Sequence, residues 1–244
     1  MLLALDIGNT NIALGVFTNN QLIRKYAIPT KIKDYYPDLK KITRKNRITS
    51  CIICSVVPKV TKRLTWALRK AAVKKIGVCG VHRKIPIKNL YHYPSQVGQD
   101  RLVNAYAAIS LYRSPAIIID FGTAITFDVV SAKKEYKGGL IIPGLGISLE
   151  TLAENTALLP KVKLAKPREL IGQDTRNSIL SGIIYGYSTL TDGLIRKLKT
   201  NLNNKPIVIG TGGNIKLIAD YCREIDKIDI NLTLKGLSLI SKST

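Results

Sequence analysis

One arrangement occurs twice in this chain and limits what it can fold into. An apolar run ends in Asp6-Ile7-Gly8-Asn9 and resumes as Ile12–Phe17; a second ends in Asp120-Phe121-Gly122-Thr123 and resumes as Ala124–Val130. Only the Asp and the Gly are identical, so identity carries little. The shared order does carry weight: strand, Asp, any residue, Gly, polar residue, strand. Each copy opens a three-stranded meander, continued by Gln21–Ala27 in the first and by Lys137–Ile142 in the second. With 244 residues, two units of roughly 100–150 residues are in reach. The expectation is an α/β protein of two similar halves, 1–113 and 114–244, each a mixed sheet flanked by helices. The two Asp-x-Gly turns would face a central cleft.

Between the meanders the periodicity changes from two to 3.6. Ile48–Val57 reads as a buried strand, and Pro58 suits the first turn of a helix carrying Val60, Leu64, Ala67 and Leu68 on one face. Ile76–Val81 is another strand, and Asp100 to about Tyr112 a helix. Thr175–Lys199 is a longer helix, followed by the strand Pro206–Ile209, a Gly-rich loop and the helix Ile215–Tyr221. Gly182 and Gly186, four apart, share one face of the long helix; close packing inside the chain and a dimer seam are both open. Residues 28–47, the loop 82–97 and the tail after 220 receive no assignment.

The turns carry the chemistry. Glycine lets backbone approach a ligand closely, and successive N–H groups in such a bend form a nest for phosphate oxygens. Asn9 and Thr10 can add side-chain donors. Asp6 would repel phosphate directly, so its sensible role is to hold Mg²⁺ through water. The second turn repeats these parts, and the G-x-x-x-x-G-K pattern of P-loop enzymes is absent from the sequence. Two acidic turns suggest a clamp on a polyphosphate and its cation. Phosphoryl transfer also needs a group that takes the acceptor's proton. Asp100, in Gly98-Gln99-Asp100-Arg101, lies outside both turns and is the candidate base, although an Asp at a helix start commonly serves as a cap. Arg101 beside it can pair with an acceptor carboxylate or with transition-state charge.

Other features narrow the class. The net charge is +22, and basic residues recur at Lys31–Lys33, Lys40–Arg47, Lys59–Lys75 and Lys161–Arg168. They are scattered along the sequence, and no aromatic residues interleave with them as in an RNA-stacking sheet. A lysine-rich surface is the expected reading, and the charge leaves a nucleic-acid partner open. Four cysteines are too few for a disulfide scaffold and point to a reducing compartment. Cys51 and Cys54 would face opposite sides of their strand, a poor arrangement for holding a metal. The N-terminus lacks a basic leader, and no apolar run is long enough to span a bilayer, so a soluble cytoplasmic protein is expected.

Taken in order, several segments resemble the type III pantothenate kinase family. They are Asp6-Ile7-Gly8-Asn9-Thr10-Asn11, Ser55-Val56-Val57-Pro58, Gly98-Gln99-Asp100-Arg101 and Asp120-Phe121-Gly122-Thr123-Ala124 with Thr126 and Asp128. Further along come Gly138-Gly139-Leu140-Ile141-Ile142-Pro143-Gly144, Thr156-Ala157-Leu158-Leu159-Pro160 and Thr211-Gly212-Gly213. The resemblance implies the actin-like ATPase, or ribonuclease H-like, fold and the first step of coenzyme A synthesis, phosphorylation of pantothenate by ATP. It implies Asp100 as general base. Asp6, Ile7, Gly8, Asn9, Thr10, Asn11, Ile12 and Ala13 would bind the ATP phosphates, with Thr123 also contacting ATP. Tyr91, Gly98, Gln99, Asp100, Arg101 and Thr175 would line the pantothenate site. Asp120 would hold a monovalent cation, K⁺ or NH₄⁺, where symmetry with Asp6 alone would suggest Mg²⁺. The resemblance also implies a homodimer with the acceptor pocket near the subunit interface. Two rivals remain at this point: a nucleic-acid-linked regulator and another small-molecule kinase of the same fold.

Overall fold

The computed structural model describes residues 1–202 and 205–242, and the chain divides into two compact units. The first comprises Met1–Leu111 together with the described residues from Asn231 on; the second is Tyr112–Ile230. The tail after 220, unassigned from sequence, therefore splits: its last helix packs in the first unit.

In the first unit the strands are β1 (Leu2–Ile7), β2 (Asn11–Thr18), β3 (Gln21–Pro29), β4 (Ser50–Ser55) and β5 (Lys75–Val78); the two-residue β6 (Lys88–Asn89) is not part of their sheet. The sheet order is β3-β2-β1-β4-β5. β1 to β3 form the antiparallel meander, while β4 lies parallel to both β1 and β5. The helices are α1 (Tyr36–Lys45), α2 (Pro58–Lys70) and α3 (Gln99–Leu111). α1 lies inside the charged stretch 28–47: Leu39 and Ile42 bury one face while Lys and Arg occupy the other.

Alternation along β1 decides which layer each residue meets. Leu3, Leu5 and Ile7 join Cys51 and Ile53 of β4 and Leu64 and Leu68 of α2 in one core. Ala4 and Asp6 point to the opposite face, as do Ile52 and Cys54. That face is covered by α3 and by the C-terminal helix α7 (Leu232–Ile240). Small residues let the layers close up: a methyl on Gly236 would come within 2.9 Å of Val103 and Ala107 on α3. Cys51 and Cys54 are thus on opposite sides of β4, and all four cysteines are free thiols.

The second unit repeats the plan. Its strands are β7 (Ala116–Phe121), β8 (Ala124–Val130), β9 (Glu135–Pro143), β10 (Ile207–Thr211) and β11 (Lys227–Ile228). They run in the order β11-β10-β7-β8-β9, antiparallel through β7, β8 and β9 and parallel between β7, β10 and β11. α4 (Leu145–Glu154), α5 (Thr175–Leu202) and the short α6 (Ile215–Ile218) complete it. Ile117, Ile119 and Phe121 of β7 pack with Ile125, Phe127, Leu149 and Ile184 in its core. Ile118 and Asp120 therefore face the other way. Among the described residues no helix is long and apolar enough to cross a membrane.

Candidate active site

The first Asp-x-Gly turn joins β1 to β2. Asp6 pairs across to Ala13, and the Gly8 amide donates to the Asn11 carbonyl at 3.1 Å, closing the bend. Gly8 is held from outside as well: the Thr30 hydroxyl donates to its carbonyl at 2.7 Å, and the Thr30 amide donates to the Thr10 carbonyl at 2.9 Å. Asn9, Thr10 and Asn11 remain exposed along the rim, whereas Ile12 is buried in the core beneath them. Thr30 was not legible as a site residue. It lies 22 residues from Gly8 and reaches it only because β3 folds back along β2.

Strand register brings further groups to Asp6. In the parallel β1–β4 pair Asp6 lies opposite Cys54, and Cys54 shares its face. The next position of β5 beside it is Cys79, whose amide donates to the Ile53 carbonyl at 2.8 Å. The Cys54 thiol is pushed well above its ordinary range, first by burial, then by the negative charges of Asp6 and Asp100 and by Cys79. Burial pushes Cys79 up to about 12. Both thiols therefore stay neutral, forming an uncharged floor near the two carboxylates.

Asp100 stands at the N-terminus of α3. Burial raises its carboxyl above the usual carboxylate range, and the backbone N–H and positive charge of Arg101 offset part of that rise. The Arg101 amide donates to Asp100 Oδ1 at 2.9 Å, so the Asp does serve the helix start. Its elevated proton affinity is compatible with accepting a proton as well. Gly98 makes room for it: a methyl there would overlap Asp100 Oδ1. Gln99 packs on Gly80, whose φ of 77° favours glycine and where a methyl would lie 2.7 Å from Gln99 Cδ. Arg101 is buried, and Tyr91 is half-buried with its amide donating to Asn89 Oδ1 at 3.0 Å.

In the second unit Asp120 ends β7 on a polar row. Register sets Thr211 of β10 on one side of it and Thr126 of β8 on the other, all three on one face. The Gly122 amide donates to the Ala124 carbonyl at 3.1 Å. Two later glycines press on this turn. A methyl on Gly144 would overlap the Thr123 carbonyl oxygen and lie 2.7 Å from that of Gly122. At Gly212, with φ of 94°, it would overlap Asp120 Oδ1 and lie 2.6 Å from the Phe121 amide nitrogen. Two positions along β8, the buried Asp128 accepts from the Tyr136 hydroxyl at 2.8 Å and from the Thr126 hydroxyl at 3.1 Å, which explains why these polar residues sit inside a sheet.

The Asp120 carboxylate and the carbonyls of its turn are oxygen donors, the kind of ligand hard cations take. Among the described residues no cluster of three or more His, Cys, Asp or Glu side chains is placed to hold a metal. Thr175 is exposed at the first turn of α5. That turn is capped by Asp174, which accepts from the Asn177 amide at 2.7 Å and from Asn177 Nδ2 at 2.6 Å. These bonds hold the Asp174 carboxyl below its ordinary range. Gly182 and Gly186 sit exposed on α5, and a methyl on either would meet nothing within 4 Å. Packing among the described residues does not account for them.

Comparisons with known proteins identify the family. The sequence model of the type III pantothenate kinase family matches residues 2–197. A type III pantothenate kinase from Anaeromyxobacter dehalogenans is 39% identical over 249 residues, covering 98% of both chains. One from Halalkalibacterium halodurans is 39% identical over 251 residues, covering 99% of both. Among solved structures, a candidate 2-dehydro-3-deoxygalactonokinase from Sinorhizobium meliloti superposes with a TM-score of 0.62 at 12% identity, over 100% of this chain and 96% of that one. A likeness at such low identity speaks for the fold alone, that of actin-like ATPases and sugar kinases. The match along nearly the whole sequence does more: this chain belongs to the type III pantothenate kinase family.

Proposed function

We propose that the chain transfers the γ-phosphoryl group of ATP to the primary alcohol of pantothenate, giving 4′-phosphopantothenate, the first step of coenzyme A synthesis. The observation that carries this reading is a desolvated carboxylate, Asp100, on the same face of one sheet as Asp6, in a chain of this family. Asp100 takes the hydroxyl proton as the alcohol oxygen attacks the γ-phosphorus. The bond to the β,γ-bridging oxygen breaks, ADP leaves, and the proton passes from Asp100 to solvent. Such proton removal contributes about 10²–10⁴-fold to a rate.

The other assignments follow the same division of labour. Residues Asp6 to Ala13 supply backbone N–H groups and side-chain donors to the phosphates, with Asp6 holding Mg²⁺ through water. Thr123 also contacts ATP, and Asp120 holds K⁺ or NH₄⁺. Tyr91, Gly98, Gln99, Arg101 and Thr175 receive pantothenate. The open glycine face of α5 suits close approach of a second copy, which supports a homodimer; Gly186→Arg should then yield monomers by sedimentation.

The test is direct. Purified protein is incubated with ATP, Mg²⁺ and pantothenate, with and without K⁺ or NH₄⁺, and phosphopantothenate is measured. Product is expected only when all three are present, and more of it with the monovalent ion. No product under any cation would overturn the reading.

A further inference from the structure

Basic residues that look scattered along the sequence are gathered in space. Residues 31–75 hold fourteen Lys and Arg against two Asp, so +12 of the chain's +22 falls in less than a fifth of its length. Much of that charge lies on the outward sides of α1 and α2, which pack side by side. Aromatic rings do interleave with it, contrary to the expectation from sequence. Lys40 Nζ lies 5.4 Å from the Tyr36 ring, and Lys70 Nζ lies 4.5 Å from that ring and 5.0 Å from the Trp66 ring. The result is an alternating ladder, cation–ring–cation–ring, across the two helices. Trp66, the chain's single tryptophan, is 60% exposed at its end.

Beside Trp66 lies a cavity of about 360 Å³ walled by Lys33, Asp34, Tyr35, Lys62 and Arg63; the Asp34 carboxylate accepts from the Tyr36 amide at 2.9 Å. Its wall is fixed. The Arg63 guanidinium donates to the Ile32 carbonyl at 3.0 Å and to that of Lys33, and lies 4.9 Å from the Tyr35 ring. Lys33 and Lys62 line it too and are exposed. The exposed Trp66 indole stands among positive charges.

We propose that this α1–α2 face binds single-stranded nucleic acid, with a base stacked on Trp66 and backbone phosphates along Lys33, Lys62 and Lys70. Two features select that partner. A basic surface alone would attract any polyanion, but stacking platforms set between cations match single strands, whose bases are unpaired. In a duplex the bases are already stacked on each other and withheld from the indole. None of these residues belongs to the proposed kinase machinery, so this activity stands or falls separately from phosphorylation.

Because Trp66 is the single tryptophan, its fluorescence reports on the site. The full-length protein is titrated with an oligothymidylate of roughly 15 nucleotides, in parallel with a duplex of equal length and with inorganic polyphosphate, all in saturating ATP and Mg²⁺. The expected result is quenching by the single strand, with log K falling linearly against log salt. Trp66→Ala, followed by anisotropy of labelled oligonucleotide, should weaken binding about tenfold. Trp66→Phe should stay within about twofold of wild type, since it keeps a ring to stack on. Pantothenate phosphorylation by both variants should be unchanged, showing that they fold. Three results would each overturn the proposal: no quenching, equal affinity for duplex or polyphosphate, or wild-type affinity in Trp66→Ala.

Discussion

The two Asp-x-Gly turns share a motif and differ in how they are held. Both are closed by the glycine amide, which donates to the Asn11 carbonyl in the first and to the Ala124 carbonyl in the second. Beyond that bond, the first is tied from outside by the Thr30 hydroxyl and keeps Asn9, Thr10 and Asn11 exposed, whereas the second has the backbones of Gly144 and Gly212 laid against Gly122, Thr123 and Asp120. The outer tie leaves the polar residues of the first turn on an open rim, while close packing sets the Asp120 carboxylate against neighbouring backbone. A repeated motif need not mean a repeated role, and the neighbours of each copy separate the two.

The sharpest way to break this comparison is to add one methyl to each turn. Gly144→Ala forces a side chain into backbone oxygens that have nowhere to go, and should cost about 3 kcal/mol in urea unfolding. In Gly8→Ala the nearest atom to the new methyl is the Asn11 carbonyl oxygen at 3.2 Å, and the cost should stay below about 1 kcal/mol. Equal losses would mean that the two turns are held alike.

Charge comes next. Asp6→Asn should lower kcat/KM for ATP on the order of 100-fold while leaving the response to K⁺ intact. Asp120→Asn should instead remove the K⁺ response, with activity at the level wild type shows without the ion. A smaller effect is expected at the outer tie: Thr30→Val loses the bond to the Gly8 carbonyl, costs about 1 kcal/mol and raises KM for ATP more than it lowers kcat.

The smallest effect is a displaced titration. Burial raises the Asp100 carboxyl above the ordinary value, which is about 3.9. Between those two values the folded chain keeps a proton that the unfolded chain has lost. Stability from this group is therefore fully present below the ordinary value and is lost as pH rises through the raised one. A general base must be unprotonated, so kcat/KM should climb with pH across the same window. A pH profile whose acid limb lies above that of an ordinary carboxylate would agree; a limb near 4 would not.

Much of the fold was legible because the chain switches cleanly between periods of two and 3.6. Both meanders, the strand before Pro58 and the long helix from Thr175 follow from that switch. The last helix was not legible, since its apolar residues Leu232, Leu234 and Leu237 find partners on α3 and β1, far away in sequence. The Asp residues of the turns stood out because glycine two positions on marks a bend. Thr30, Cys54 and Cys79 did not, because only strand pairing and the fold-back of β3 bring them to Asp6 and Gly8. The ring–lysine ladder was not legible for a related reason: Tyr36 and Trp66 are thirty positions apart and meet only through Lys70 between two helices.

One measurement bears most directly on the kinase account. Phosphopantothenate formation is compared between wild type and Asp100→Asn under saturating ATP, Mg²⁺, K⁺ and pantothenate, with circular dichroism and ATP affinity confirming an intact fold. kcat should fall about 10²–10⁴-fold with ATP affinity unchanged. Wild-type turnover in Asp100→Asn would contradict it.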